Sequence, residues 1–142
     1  VENIPTGPSK TSLKKGELIS AVHIPARGKN AGDAYLRFIP RTEMDIAVVG
    51  CAVSLRLDNG IITEARVALG AVAPTVLLVD ECAQAIIGTK LDEAAFKKLA
   101  QAAENACNPI DDKRGTIEFR TDIAGVLAVR TAKKAYDRAQ GK

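Results

Sequence analysis

The sequence predicts an α+β domain, a three- to four-stranded antiparallel sheet with about three helices packed on one face. Three observations carry this. Period-two alternation of apolar and polar residues dominates the stretch up to Leu69. Within it, Asn59-Gly60 separates two alternating runs and supplies the positive-φ pair of a tight hairpin turn. From Val76 onward, apolar residues recur instead at helical spacing, in runs broken by Gly88 and by Asn108-Pro109. Strands first and helices second is the order of an α+β sandwich, not the alternating β-α-β of a dinucleotide-binding fold.

Each element is argued from its residues. The opening 15 residues hold Pro5, Gly7 and Pro8 among Ser, Thr and Lys, and read as an extended lead-in without regular structure at a domain boundary, with the domain itself over 16–140. A first strand is expected over 18–24, where Leu18, Val22 and Ile24 alternate loosely with Ile19, Ala21 and His23 until Pro25 stops it. A second, over 33–41, sets Ala34, Leu36 and Phe38 on one face and Tyr35, Arg37, Ile39 and Arg41 on the other. Val53, Leu55 and Leu57 mark a half-buried strand before the turn. After it, Ile61, Thr63, Ala65, Val67 and Leu69 are expected on one face of the returning strand.

Val76, Val79, Cys82, Ala83 and Ile86 predict a first helix, and the span 92–106 a second, with Thr89 or Asp92 as N-cap and Phe96, Leu99, Ala103 and Ala106 on its packed stripe. A third is expected from Phe119 or Thr121 to Ala139, packed through Ile123, Val126, Leu127 and Tyr136. Lys133, Lys134 and Arg138 then lie where the helix dipole favours cations.

Composition narrows the functions. With 46% hydrophobic and 26% charged residues in 142, the chain can bury one core and is not disordered throughout. No apolar run approaches the ~20 residues of a bilayer span and no signal peptide is read, so the expectation is a cytoplasmic chain without membrane insertion. Cys51, Cys82 and Cys107 are far apart and sit among apolar neighbours, which argues against a disulfide framework or a CxxC metal knuckle. The single histidine, His23, reads as an ordinary strand residue, not a base, and no metal site or catalytic constellation is written. GxGxxG and GxxxxGK[ST] are both missing, so the chain has no phosphate cradle.

The net charge of +3 is uneven, with seven basic and three acidic side chains in residues 1–42. Aromatic content of 4%, with Phe38, Phe96 and Phe119 expected in the core, argues against nucleic acid as a partner. Arg37 and Arg41 share a fixed face, where two guanidiniums suit an electron-rich planar ligand or an acidic partner. An ordinary solvated strand surface is the competing reading.

Short segments then carry a resemblance. Pro5-Thr6-Gly7-Pro8-Ser9-Lys10-Thr11-Ser12-Leu13, Gly16-Glu17-Leu18-Ile19 and Val22-His23-Ile24-Pro25 look like the junction before the C-terminal domain in molybdenum hydroxylase flavoproteins. These are the medium, FAD-binding subunits of the carbon monoxide dehydrogenase and xanthine dehydrogenase family. Ala34-Tyr35-Leu36-Arg37-Phe38 with Arg41, and Asp45-Ile46-Ala47-Val48-Val49-Gly50, are similar to a strand and an Asp-Ile-Ala segment of that family. Ala68-Leu69-Gly70-Ala71-Val72-Ala73-Pro74-Thr75, and Pro109-Ile110-Asp111-Asp112-Lys113-Arg114-Gly115-Thr116 with Phe119-Arg120, resemble it as well, all in the same order.

The resemblance implies one domain of an oxidoreductase subunit, without the N-terminal domain that cradles FAD, so that the chain alone is inactive. It implies that Leu18 and Ile19 lie against the isoalloxazine, that Arg37 reaches its pyrimidine end, and that Arg41 and Asp45 occupy the neighbouring loop. FAD would be shared with the N-terminal domain, while the molybdenum cofactor and iron-sulfur clusters would sit on a large and a small partner subunit. Electrons would pass from those centres through FAD to an acceptor. The alternative is a stand-alone α+β protein-interaction module without a redox role.

Overall fold

A computed structural model describes residues 2–41 and 46–142. The main sheet is built on the hairpin that the turn signal announces. β4 (Val49–Asp58) and β5 (Ile61–Gly70) pair antiparallel, and Asn59 and Gly60 both take positive φ, 49° and 81°, as the two-residue turn requires. β3 (Ala31–Phe38) lies on the far side of β4, and a two-residue strand, β6 (Leu77–Leu78), extends β5, giving a four-stranded antiparallel sheet in the order β3-β4-β5-β6.

Three helices cover one face of it. α3 (Ile117–Ala139) lies on β3 and β4, α1 (Asp80–Ile86) lies on β5, and α2 (Glu93–Ala106) packs against both of the other helices. The inward side chains of the hairpin, Cys51, Val53, Leu55, Ile62, Val67 and Leu69, are all 2% exposed or less and form one core with Ile86 and Leu99. α3 faces the sheet with small residues, Ala124, Ala128, Ala132 and Ala135, so helix and strands approach closely. Asp92 Oδ1 accepts from Ala95 N at 2.9 Å and Thr116 Oγ1 from Phe119 N at 3.1 Å, which satisfies orphan donors at the starts of α2 and α3.

Several expectations are corrected. Residues 18–24 join no strand. The lead-in is not wholly irregular, because β1 (Pro5–Gly7) and β2 (Lys10–Thr11) form a small antiparallel pair. Ile61 and Thr63 do not share a face with Val67. The register shifts between Arg56 and Leu57, Thr63 is left as an extra residue, and Ile62 takes the buried position. Val76 precedes β6 and α1 begins only at Asp80. α3 starts earlier than expected because Thr116 caps it, and Val126 on its outer side is 43% exposed. Phe119, at 39% exposure, is no core residue, although its ring meets that of Phe38 edge-on at 5.7 Å.

Candidate functional site

With helices on one side, the sheet presents its second face outward, and antiparallel register sorts that face into rows. Arg37 is level with Gly50, and Gly50 with Gly70. The next row is Tyr35, Ala52, Ala68 and Leu78, and the one beyond it Asp33, Ser54 and Arg66. The two central strands therefore contribute small residues to the middle of the face. Over Ala52, Ser54 and Ala68 lies a trough of about 1050 Å³, bounded by Tyr35, Arg66, Val76 and Leu78, by Glu2 and Pro5 of the lead-in and by Pro25.

Glycine inside a strand marks a place of close backbone approach. A Cβ at Gly50 would lie 3.0 Å from Tyr35 Oη, so the phenol already lies across that position. At Gly70 a Cβ would meet nothing within 4 Å, so the domain's own packing does not require glycine there. In the Arg37 row, Gly70 is thus open backbone, while Gly50 is buried under the Tyr35 phenol.

The charges beside the strip are unevenly paired. Arg27 donates to Asp33 Oδ2 at 2.5 Å and Arg56 to Glu64 Oε1 at 3.0 Å, while Arg66 pairs with Glu2. The Arg37 side chain, exposed on the same face, has no hydrogen-bond or ion-pair partner among the described residues. Such a guanidinium is already oriented by its strand and remains able to meet an anion or an electron-rich ring edge.

The residues expected at the site are not gathered into one pocket. Leu18 and Ile19 are 77% and 53% exposed on the unpaired segment and do not line the trough. Arg41 is exposed beyond the end of β3, and Asp45 lies outside the described residues. The row of Gly50 and Gly70 went unrecognised, because their alignment with Arg37 depends on strand register.

Arg120 also escaped the sequence reading. Although cationic, it is only 4% exposed; Nη1 donates to the Val48 carbonyl at 2.8 Å and Nη2 to Asp112 Oδ1 at 2.6 Å. It ties the start of α3 and the loop before it to the residue just ahead of β4. Asp112 also accepts from the Arg114 backbone N–H, and this contact together with Arg120 holds its carboxyl below the usual carboxylate range.

The thiols face the other way in chemistry. Burial pushes Cys51 to about 11 and Cys82 to about 12, so both are neutral thiols at ordinary pH; Cys107, also raised to about 11, donates to the Ala103 carbonyl. Among the described residues no group of three or more His, Cys, Asp or Glu is arranged to hold a metal ion, and no helix is long and apolar enough to cross a membrane.

The open face of this helix-backed sheet thus carries the Arg37 guanidinium, the Tyr35 phenol and the backbone of Gly70. The chain belongs to the CO dehydrogenase flavoprotein C-terminal domain family, whose profile matches residues 34–135. Among curated relatives, the carbon monoxide dehydrogenase medium chain of Afipia carboxidovorans is 35% identical over 130 residues, 92% of this chain and 45% of the relative. A putative xanthine dehydrogenase FAD-binding subunit of Escherichia coli is 32% identical over 138 residues, covering 96% and 47%.

Solved structures agree. A chain of reconstituted CO dehydrogenase from Oligotropha carboxidovorans superposes with a TM-score of 0.91 at 33% identity, covering 96% of this chain and 48% of that one. Quinoline 2-oxidoreductase from Pseudomonas putida gives a TM-score of 0.87 at 26% identity, covering 97% and 47%. The chain spans about half the length of the relatives it matches. Membership in this family disfavours the stand-alone interaction module without a redox role.

Proposed function

We propose that this chain, with residues 16–140 as its domain, forms one wall of the isoalloxazine site in the flavoprotein subunit of a molybdenum hydroxylase. The observation that carries the reading is Arg37, a cation without a partner among the described residues, set level with Gly50 and Gly70 on the open sheet face. A planar ring can approach the open backbone at Gly70 closely, and a guanidinium at its edge suits the negative charge that reduction brings to the pyrimidine end. Leu18 and Ile19 would supply apolar contact to the ring, with Arg41 and Asp45 in the adjoining loop.

FAD supplies the two-electron carrier when bound. The contribution of this chain is orientation, exclusion of water and the field of one cation. Its own sequence offers no pyrophosphate cradle, so FAD would be shared with an N-terminal FAD-binding domain. Large and small partner subunits would hold the molybdenum cofactor and the iron-sulfur clusters, with electrons passing through FAD to an acceptor. Three free cysteines fit a reducing, cytoplasmic setting for the whole assembly.

The test is the flavin midpoint potential of the full flavoprotein subunit with Arg37→Ala and Arg37→Lys. Loss of the cation destabilises the reduced, anionic flavin, so Arg37→Ala lowers the potential, by about 30 mV for each ~1.4 kcal/mol of lost interaction in a two-electron couple. Arg37→Lys retains most of the original value. A potential unchanged by Arg37→Ala removes the residue from the site.

A further inference from the structure

β3 is an edge strand, and Arg37 is its last residue but one. With no side-chain partner among the described residues, the Arg37 guanidinium is aimed by its backbone alone. Strand ends open at small free-energy cost, so whatever pins Phe38 decides where Arg37 lies.

Two contacts pin Phe38, and both lead to the start of α3. Its carbonyl accepts from Val48 N at 2.9 Å, and its ring meets that of Phe119 edge-on at 5.7 Å. Val48 itself stands outside both ladders, since β3–β4 pairing ends with Phe38 opposite Val49 and β4–β5 pairing with Gly50 opposite Gly70. Its residue has no exposed surface, so water does not serve the carbonyl either.

Arg120 serves it, and uses all three guanidinium nitrogens in doing so. Nη1 donates to the Val48 carbonyl at 2.8 Å, Nη2 to Asp112 Oδ1 at 2.6 Å and Nε to the Gly115 carbonyl at 3.4 Å. Gly115 lets the loop come close, because a Cβ there would lie 2.9 Å from Phe119 Cδ1 and 3.6 Å from Val48 Cγ1. One planar group thus ties together the loop, the helix start and the residue that holds Phe38. A lysine ammonium lacks the rigid fork that meets three acceptors at once. Buried ion pairs are poor sources of net stability, and their best-attested use is to fix one geometry.

From this geometry we infer that Arg120 is a positioning residue for Arg37, acting through Val48 and Phe38 to hold the Arg37 end of β3 in place on the open face. The inference rests on the flavin reading above and deepens it. Arg120 works from the helix side of the sheet, while Arg37 stands on the other face, so the field at the flavin edge would depend on a side chain that never meets the ring.

A double-mutant cycle on the flavin midpoint potential of the full, FAD-loaded flavoprotein subunit tests it. Arg120→Met should give at least half of the downward shift that Arg37→Ala gives, and no further shift where Arg37 is already Ala. Arg120→Lys, which keeps the charge and loses the fork, should recover less than half of that loss. Phe119→Leu removes only the ring contact on Phe38 and should shift the potential the same way by less, which keeps the test open if Arg120→Met does not fold. In the Arg120→Met subunit the Val48 amide should exchange at least ~10-fold faster, while amides around Val53 and Val67 keep their rates, as a local and not a global loosening requires. A potential unmoved by Arg120→Met where Arg37→Ala lowers it overturns the inference and leaves the flavin reading standing. Equal shifts with and without Arg37, or full recovery by Arg120→Lys, mean that Arg120 acts by its own charge and overturn it as well. A potential indifferent to Arg37→Ala removes the flavin role of Arg37 first, and the inference with it.

Discussion

Replacing Arg120 by Met keeps an unbranched apolar stem and deletes the donors of the side chain. The Val48 carbonyl, in a residue with no exposed surface, loses the guanidinium that donates to it at 2.8 Å. A buried acceptor left without a partner costs about 1–3 kcal/mol. The Asp112 carboxylate, at the edge of the protein, turns to water instead, so the loss concentrates at Val48. Urea denaturation at pH 7, compared at equal m-value, reads the difference directly. A loss under ~0.5 kcal/mol would show that Val48 finds another donor and that the clamp is dispensable. The same variant separates the two ends of the clamp by pH. Asp112 has a depressed folded-state pKa, so its contribution is complete above its ordinary value of 3.8 and is lost as pH falls through the lower folded value. The stability gap between the wild-type chain and Asp112→Asn should hold constant from pH 5 to 8 and close in acid, while the Arg120→Met deficit at Val48 persists.

Other substitutions probe the packing and the thiols. A Cβ at Gly32 would come 2.1 Å from the Ala135 carbonyl oxygen and 2.6 Å from Ala139 N, both backbone, so Gly32→Ala must push α3 off β3. It should cost about 1–3 kcal/mol or more by thermal or urea unfolding, and a neutral outcome would mean that the helix is not seated as described. Cys51 and Cys82, with no exposed surface and pKa values near 11 and 12, should react with a thiol reagent at pH 8 only as the protein unfolds. Rapid labelling of either in native buffer would contradict their burial.

The β4–β5 hairpin and α2 could be read from sequence because their signals are local: an Asn-Gly pair between alternating runs, and an Asp three residues ahead of the N–H it caps. Tyr35 and Arg37 were placed on the open face correctly for the same reason, since alternation alone decides it. Elements that depend on a partner were not legible. Residues 18–24 have a strand's composition, but pattern does not say whether a neighbouring strand exists within the chain. One extra residue, Thr63, moves Ile61 out and Ile62 in, and no local preference marks that bulge. The run from Val76 to Val79 is apolar throughout, so β6 could not be told from the start of a helix. Arg120 sits among helical residues where a cation normally faces water, and only the fold reveals the carbonyl it meets.

The contacts that close the domain join its two ends in time as well as in space. Tyr136 reaches the turn at Gly60, Arg138 reaches Asp33 and Arg120 reaches Val48, across 76, 105 and 72 residues of chain. During synthesis the hairpin leaves the ribosome long before the helix that covers it. The apolar side of β3 and β4 stays bare until α3 emerges, and completion of this core waits on that helix.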